Sequence, residues 1–181
     1  MKKLCMILSL ALILCFMVGC QDKEAMAELE KMKAQAEVEE QNKASFRYML
    51  EETDKGNYAA WDEVCSPDYI CHFAGFPKPM SLEEHKQANR TFLVAFPDFH
   101  HEINDMVAEA EKVTARVTLT GTHGGEFMGI PPTGNKIEYT AFLTARFSDK
   151  RIVELWGVAD MMTLMQQLGM ELKPKEGSSG K

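Results

Sequence analysis

Few residues of this chain could move a proton near neutral pH, and His123 is the best placed of them. It stands between an alternating run, Val113 to Thr122, and a glycine-rich stretch that ends in Pro131-Pro132-Thr133-Gly134. An imidazole there could act as a pocket acid, a base or an orienting donor; it could equally bond the loop and hold it. Asp160 follows Trp156 and Val158 at two-residue spacing. Its carboxylate could reach the same space, or cap the helical run that begins at Met161, and the cap is the favoured reading. His100, His101 and Glu102 invite a metal. Strand neighbours point to opposite faces, however, and no His-Glu-x-x-His or cysteine cluster supports them, so no metal is expected. The glycine-rich stretch is no phosphate cradle either, because it opens no helix and lacks the lysine-serine ending.

These residues need a sheet to position them. Val113, Ala115, Val117 and Leu119 alternate with Thr114, Arg116, Thr118 and Thr120, the period of a half-buried strand. Carrying that alternation on puts Gly121 and His123 on the apolar side. Lys136 to Phe147 alternates again, with Ile137, Tyr139, Ala141, Leu143, Ala145 and Phe147 on one face, and Arg151 to Val158 follows as a third strand. The connection holding Pro131 and Pro132 must be a shaped loop, since proline cannot serve a central ladder.

Upstream, a helix carrying Phe46, Met49 and Leu50 is broken at Asp54-Lys55-Gly56-Asn57. A second short helix, Tyr58 to Val64, buries Ala59, Trp61 or Val64. Pro67-Asp68 reads as a turn and Tyr69 to Phe73 as a short strand. Ser81 and Glu84 form a capping box that starts a helix reaching about Ala95. Phe99 to Val107 then begins the sheet, and Met161 to Gly169 is a closing helix. Helices first and an antiparallel sheet after make an α+β domain. A strongly curved sheet closed over by the N-terminal helices would leave a conical cavity.

The ends read differently. Lys2 and Lys3, an apolar Leu4 to Val18 and Gly19-Cys20 form a secretory signal pattern, too short for a comfortable membrane span. Met17-Val18-Gly19-Cys20 resembles a bacterial lipobox, which makes Cys20 the lipidated N-terminus of a secreted protein held on the periplasmic or cell-surface side of a membrane. Residues 21–44 are a polar helical tether; a short coiled coil is the other reading. Residues 45–172 form the domain and 173–181 a disordered tail. The chain carries a net charge of −7; losing residues 1–20 removes Lys2 and Lys3 and no acid, which deepens it to −9. Such a surface suits neither nucleic acid nor anionic lipid heads. Cys65 and Cys71 could pair in an oxidising compartment or stand as two small buried hydrophobes.

From Asn57 to Gly169 the chain resembles the SnoaL-like polyketide (ester) cyclase family within the nuclear-transport-factor-2-like cone fold. The likeness rests on Pro67-Asp68-Tyr69 with His72, on Phe96-Pro97-Asp98, and on Gly121-Thr122-His123-Gly124-Gly125-Glu126-Phe127. It continues through Gly129-Ile130-Pro131-Pro132-Thr133-Gly134, Ile152-Val153-Glu154-Leu155-Trp156-Gly157, Asp160 and Gln167-Leu168-Gly169. The resemblance implies a cone-shaped sheet packed with N-terminal helices, and ring closure without metal or cofactor. In such enzymes an acidic residue in the cavity moves a proton to and from the substrate enol while the walls hold the chain folded. Placing Arg146-Phe147 in register puts Leu143 at the position of that aspartate, and leucine carries no proton. Because one scaffold of this kind hosts enzymes and pure binding modules, three readings stand. The first is a cofactor-free cyclase, isomerase or lyase acting on a hydrophobic carbonyl compound, with His123 and Asp160 as proton carriers. The second is a non-catalytic binder of a small hydrophobic ligand. The third is a homodimerising module that uses its exposed sheet face. His72, Trp156, Leu143, Tyr139 and Leu119 are the expected pocket walls.

Overall fold

The computed structural model describes the backbone of residues 2–171 and the side chains of residues 23–171. The side chains of the expected signal segment, Cys20 included, and the expected tail 173–181 lie outside that range. The chain divides into two compact units, Met1–Val38 and Glu39–Lys181. In the first, the described side chains are exposed, Met26, Leu29 and Met32 among them. Among the described residues no helix is long and apolar enough to cross a membrane.

The second unit is α+β. Helix α1 (Lys2–Asp54) contributes its last turns, with Phe46, Met49 and Leu50 all fully buried. A 3-10 turn (Tyr58–Ala60) and α2 (Trp61–Val64) follow, burying Ala60 and Trp61 and leaving Ala59 exposed. Next come β1 (Cys65–Phe73), a two-residue β2 (Met80–Ser81) that the sequence reading missed, and α3 (Leu82–Ala95). Strands β3 (His100–Glu109), β4 (Lys112–Thr122), β5 (Lys136–Ser148) and β6 (Arg151–Ala159) lead to α4 (Met161–Gln167). The capping box forms as expected: Ser81 Oγ accepts the Glu84 N–H, and the Glu84 carboxylate accepts the Ser81 N–H.

The six strands form one curved sheet in the order β2-β1-β6-β5-β4-β3. Its pairings are antiparallel except one, for β1 runs parallel to β6. The expected turn at Pro67-Asp68 is therefore part of a strand. The register between β1 and β6 breaks between Cys65 and Ile70, and β2 reaches only Ile70 and Cys71 on the other side. A proline without an N–H is tolerated at such an unpaired, bulged position. Cys65 and Cys71 lie in this same strand and are both free and buried. Six residues of strand span roughly 20 Å, far beyond disulfide reach. They are small hydrophobes, with burial pushing the thiols up to about 12 and about 11.

The alternation expected for β4 and β5 holds residue by residue: Val113, Ala115, Val117, Leu119, Ile137, Tyr139, Ala141, Leu143, Ala145 and Phe147 are all buried. They face the helices. On the opposite side Thr140, Phe142 and Trp156 are exposed and Thr118 is half-buried.

Candidate functional site

On the covered face the expected pocket residues are core. His123 is fully buried, and Leu119, Tyr139 and Leu143 are exposed by only 5–6%. Burial pushes the Tyr139 phenol above its usual range. His123 is pinned to the loop. Its N–H donates to Asn135 O (2.9 Å), its O accepts the Gly134 N–H (2.9 Å), and its Nδ1 lies 3.3 Å from the Thr133 N and 3.0 Å from Thr133 Oγ1. A backbone N–H can only donate, so Nδ1 accepts and the ring proton sits on Nε2. That Nε2 is buried and has no hydrogen-bond partner among the described residues. The ring stacks on Phe96 at 5.2 Å, in a cluster with Phe92, Phe99 and Phe127. These bonds tie His123 to the loop.

The glycines explain how the loop gets there. Gly124 and Gly125 both donate their N–H to Ala95 O, satisfying a carbonyl that the end of α3 leaves over. A Cβ on Gly125 would overlap the Val94 carbonyl oxygen and come within 3.0 Å of Ala95 Cα. Asp98 fastens the same corner by accepting the Thr122 N–H (2.6 Å) and hydroxyl (2.7 Å).

Asp160 caps α4. It is exposed, and its carboxylate accepts the Thr163 N–H (3.0 Å) and hydroxyl (2.7 Å). Those two bonds hold its pKa below the usual carboxylate range, which favours the ionised form. Its bonds and those of His123 go to different partners, so the structure does not bring the pair together as a proton relay.

His72 and Trp156 lie on the other face. They are direct partners in the β1–β6 register, with rings stacked at 5.6 Å and 11°. They cannot share a cavity with His123, Leu143, Tyr139 and Leu119, because the sheet itself stands between the two sets. His72 Nε2 is 3.0 Å from Glu154 Oε1, while Glu154 Oε2 accepts from Arg146 Nε (3.0 Å) and a terminal guanidinium nitrogen (2.7 Å). The Arg146 bonds first, and then His72, hold the Glu154 carboxyl below its usual range against its burial.

Beside them is a pocket of about 480 Å³. Phe73, Phe76, Phe142, Trp156 and Val158 supply its apolar walls, and the segment Ala74–Pro79 forms its outer lip. Phe73 can lie flat on β6 because residue 157 is glycine; a Cβ there would overlap the Phe73 ring and reach Leu143 Cδ2 at 3.1 Å. Sequence reasoning missed Phe76, Phe142, Arg146 and Glu154 as site residues. Phe142 did leave a signal, as an aromatic between Thr140 and Thr144 on the polar side of β5.

A second polar cluster was also missed. His100 and His101 both reach Asp54 at the end of α1: His100 Nδ1 is 2.8 Å from Oδ2 and His101 Nδ1 is 2.5 Å from Oδ1, while the His101 N–H donates to Oδ2. Adjacent imidazoles do serve one site here, because the carboxylate meets an edge strand from its end and straddles both faces. No group of three or more His, Cys, Asp or Glu among the described residues is placed to hold a metal. Burial pushes Asp54 up, and the hydrogen bonds from His101 and His100 outweigh it, leaving the carboxyl below its usual range. A depressed carboxylate contributes stability above its unfolded pKa and loses it as pH falls through the folded one. Asp54→Asn should therefore lower stability at pH 7 by about 2–3 kcal/mol. Denaturant unfolding should show that gap narrowing as pH falls below about 4. A gap that is the same at pH 7 and at acid pH would contradict this.

The sequence matches the family described as SnoaL-like polyketide cyclase over residues 44–168. Among solved structures, IdmH from Streptomyces antibioticus is 31% identical, covering 71% of this chain and 99% of its own, with a TM-score of 0.65. AclR from Streptomyces galilaeus is 30% identical, covering 72% and 97%, with a TM-score of 0.67. A SnoaL-like polyketide cyclase from Agrobacterium tumefaciens shares the fold at 18% identity and a TM-score of 0.61, covering 71% and 98%. No curated protein matches the sequence. The alternating strands, the His123 loop and these likenesses agree: the chain belongs to the SnoaL-like polyketide cyclase family.

Proposed function

We propose that this chain binds a small hydrophobic carbonyl compound in the groove beside Trp156, and does not close rings with an acid inside the cone. One observation carries the reading. The open volume is walled on the solvent face by Phe76, Phe142 and Trp156, while Leu143 and His123 are packed in the core. About 480 Å³ falls in the range of small-molecule sites. The aromatic walls suit a flat ring system. A titration with 2-acetonaphthone, a flat aromatic ketone, should show saturable one-to-one binding by calorimetry. Phe142→Ser and Trp156→Ser should each weaken it by about three- to ten-fold. Binding that ignores both substitutions would refute the groove.

A second reading is homodimerisation through the same face, favoured by Phe142, Trp156 and Val158 being 37–52% exposed on an open sheet. In that case the protein sediments as a dimer and Trp156→Glu turns it monomeric; an unchanged mass rules this reading out.

The membrane anchor belongs to the same proposal. Lipidation of Cys20, as the N-terminus left by removal of residues 1–19, would hold the domain on the outer side of the inner membrane or beyond it. Cys20→Ala should move the protein to the soluble fraction, and retained membrane attachment would refute the anchor.

A further inference from the structure

Given the membrane anchor proposed above, we propose that the exposed stripe Ala25-Leu29-Met32-Ala36 of α1 docks on the same stripe of a second copy, as a short parallel coiled coil beside the membrane. The four residues follow one another at spacings of four, three and four, the seam of a two-stranded coiled coil. All four are exposed in the single chain, Leu29 by 43% and Met32 by 64%, whereas Phe46, Met49 and Leu50 of the same helix are spent on the domain core. The stripe stops where the domain begins. Its next position is Glu39, whose carboxylate accepts the Ala110 N–H at 2.9 Å.

Charge selects the partner and its direction. With Leu29 and Ala36 at the a positions of the heptad, Glu28 holds a g position and Lys33 the e position that follows. Neither is hydrogen-bonded or ion-paired within its own chain among the described residues. In a parallel pair each g residue meets the next e residue of the other helix, so Glu28 meets the partner's Lys33, once on each side of the seam. In an antiparallel pair g faces g and e faces e, and both ion pairs are lost. A lipid on Cys20 of each chain puts both N-termini in one membrane plane, which imposes the same parallel direction. Two heptads are too short to pair in dilute solution, and confinement of the anchored chains supplies the missing effective concentration. The occupant of the stripe is therefore a second anchored copy of this chain.

The test uses the full-length chain in bacterial membranes, with one cysteine added to the tether. Ala25→Cys lies on the stripe, and Ala27→Cys lies on the opposite side of the helix at nearly the same distance from the anchor. Cys65 and Cys71 are buried and do not compete. After mild oxidation Ala25→Cys should give about five-fold more disulfide-linked dimer than Ala27→Cys. Adding Glu28→Lys to Ala25→Cys turns both attractive pairs repulsive and should cut that dimer about ten-fold. Adding Lys33→Glu as well reverses the pairs and should restore it. Equal or absent cross-linking at the two positions, or a charge reversal without effect, would overturn the pairing and leave the anchor standing. Recovery of the chain in the soluble fraction would overturn the anchor, and this inference with it.

Discussion

Leu143→Asp is expected to destabilise the folded protein by about 3–5 kcal/mol at neutral pH, and not to create a proton carrier. Leu143 is 6% exposed and lies on the covered face, with its Cδ2 close over Gly157. Its neighbours across β4 and β6 are Ala115 and Gly157, and none of these offers a hydrogen bond to a carboxylate. Desolvation would push the new carboxyl above the aspartate range. The pH dependence follows from that direction. A group whose folded pKa is raised binds its proton more tightly when folded, so ionising it works against the folded state. The stability gap to the parent should be smallest below about pH 4. It should widen by about 1.4 kcal/mol per pH unit up to the folded pKa and then level off. Urea unfolding at pH 4 and pH 7 measures it. A variant as stable as its parent at pH 7 would mean that the position is solvated, as an active-site cavity would make it.

Gly125→Ala is the second large expected effect, about 3 kcal/mol or more. The added methyl meets backbone, the Val94 carbonyl and Ala95 Cα, which cannot rotate away as a side chain could. Moving the loop instead would break the two N–H bonds to Ala95 O and pull Phe127 from Phe92 and Phe96. Gly124→Ala is the control. Its Cβ would sit 3.4 Å from Pro97 Cδ, close to ordinary contact, and should cost under about 1 kcal/mol. Equal melting of the two variants would show that the loop does not rest on the end of α3 as described.

What could be read from the sequence, and what could not, follows from the range of the interactions. The inner faces of β4 and β5 are written in two-residue alternation, and the cap at Asp160 and the box at Ser81 and Glu84 are written within four residues. Each is local. The site depends on a pairing that is not. His72 faces Trp156 because β1 joins β6 in parallel across more than 80 residues, and nothing inside Tyr69–Phe73 says which side of the sheet that histidine will take. The resemblance placed His72 and Trp156 among the pocket walls with Leu143 and Tyr139, and the parallel pairing put them behind the sheet instead. Asp54 was hidden for a similar reason: a helix end meets an edge strand 46 residues later, where face alternation no longer limits what a carboxylate can reach. Pro67 read as a turn because a proline signals one locally, while an unpaired stretch of strand accepts it equally well.

If ligands meet this protein at the open sheet face and not inside the cone, as proposed, its two tryptophans report on the two places separately. Trp61 is 1% exposed in the core, and its indole N–H donates to Thr53 Oγ1 at 3.1 Å; Trp156 is 37% exposed at the groove wall. A titration of 15N-labelled protein with 2-acetonaphthone, followed at the two indole N–H resonances, separates them directly. Binding at the groove shifts the Trp156 resonance saturably and leaves Trp61 unmoved. A shift of Trp61, with Trp156 unmoved, would place the ligand inside the cone and contradict it.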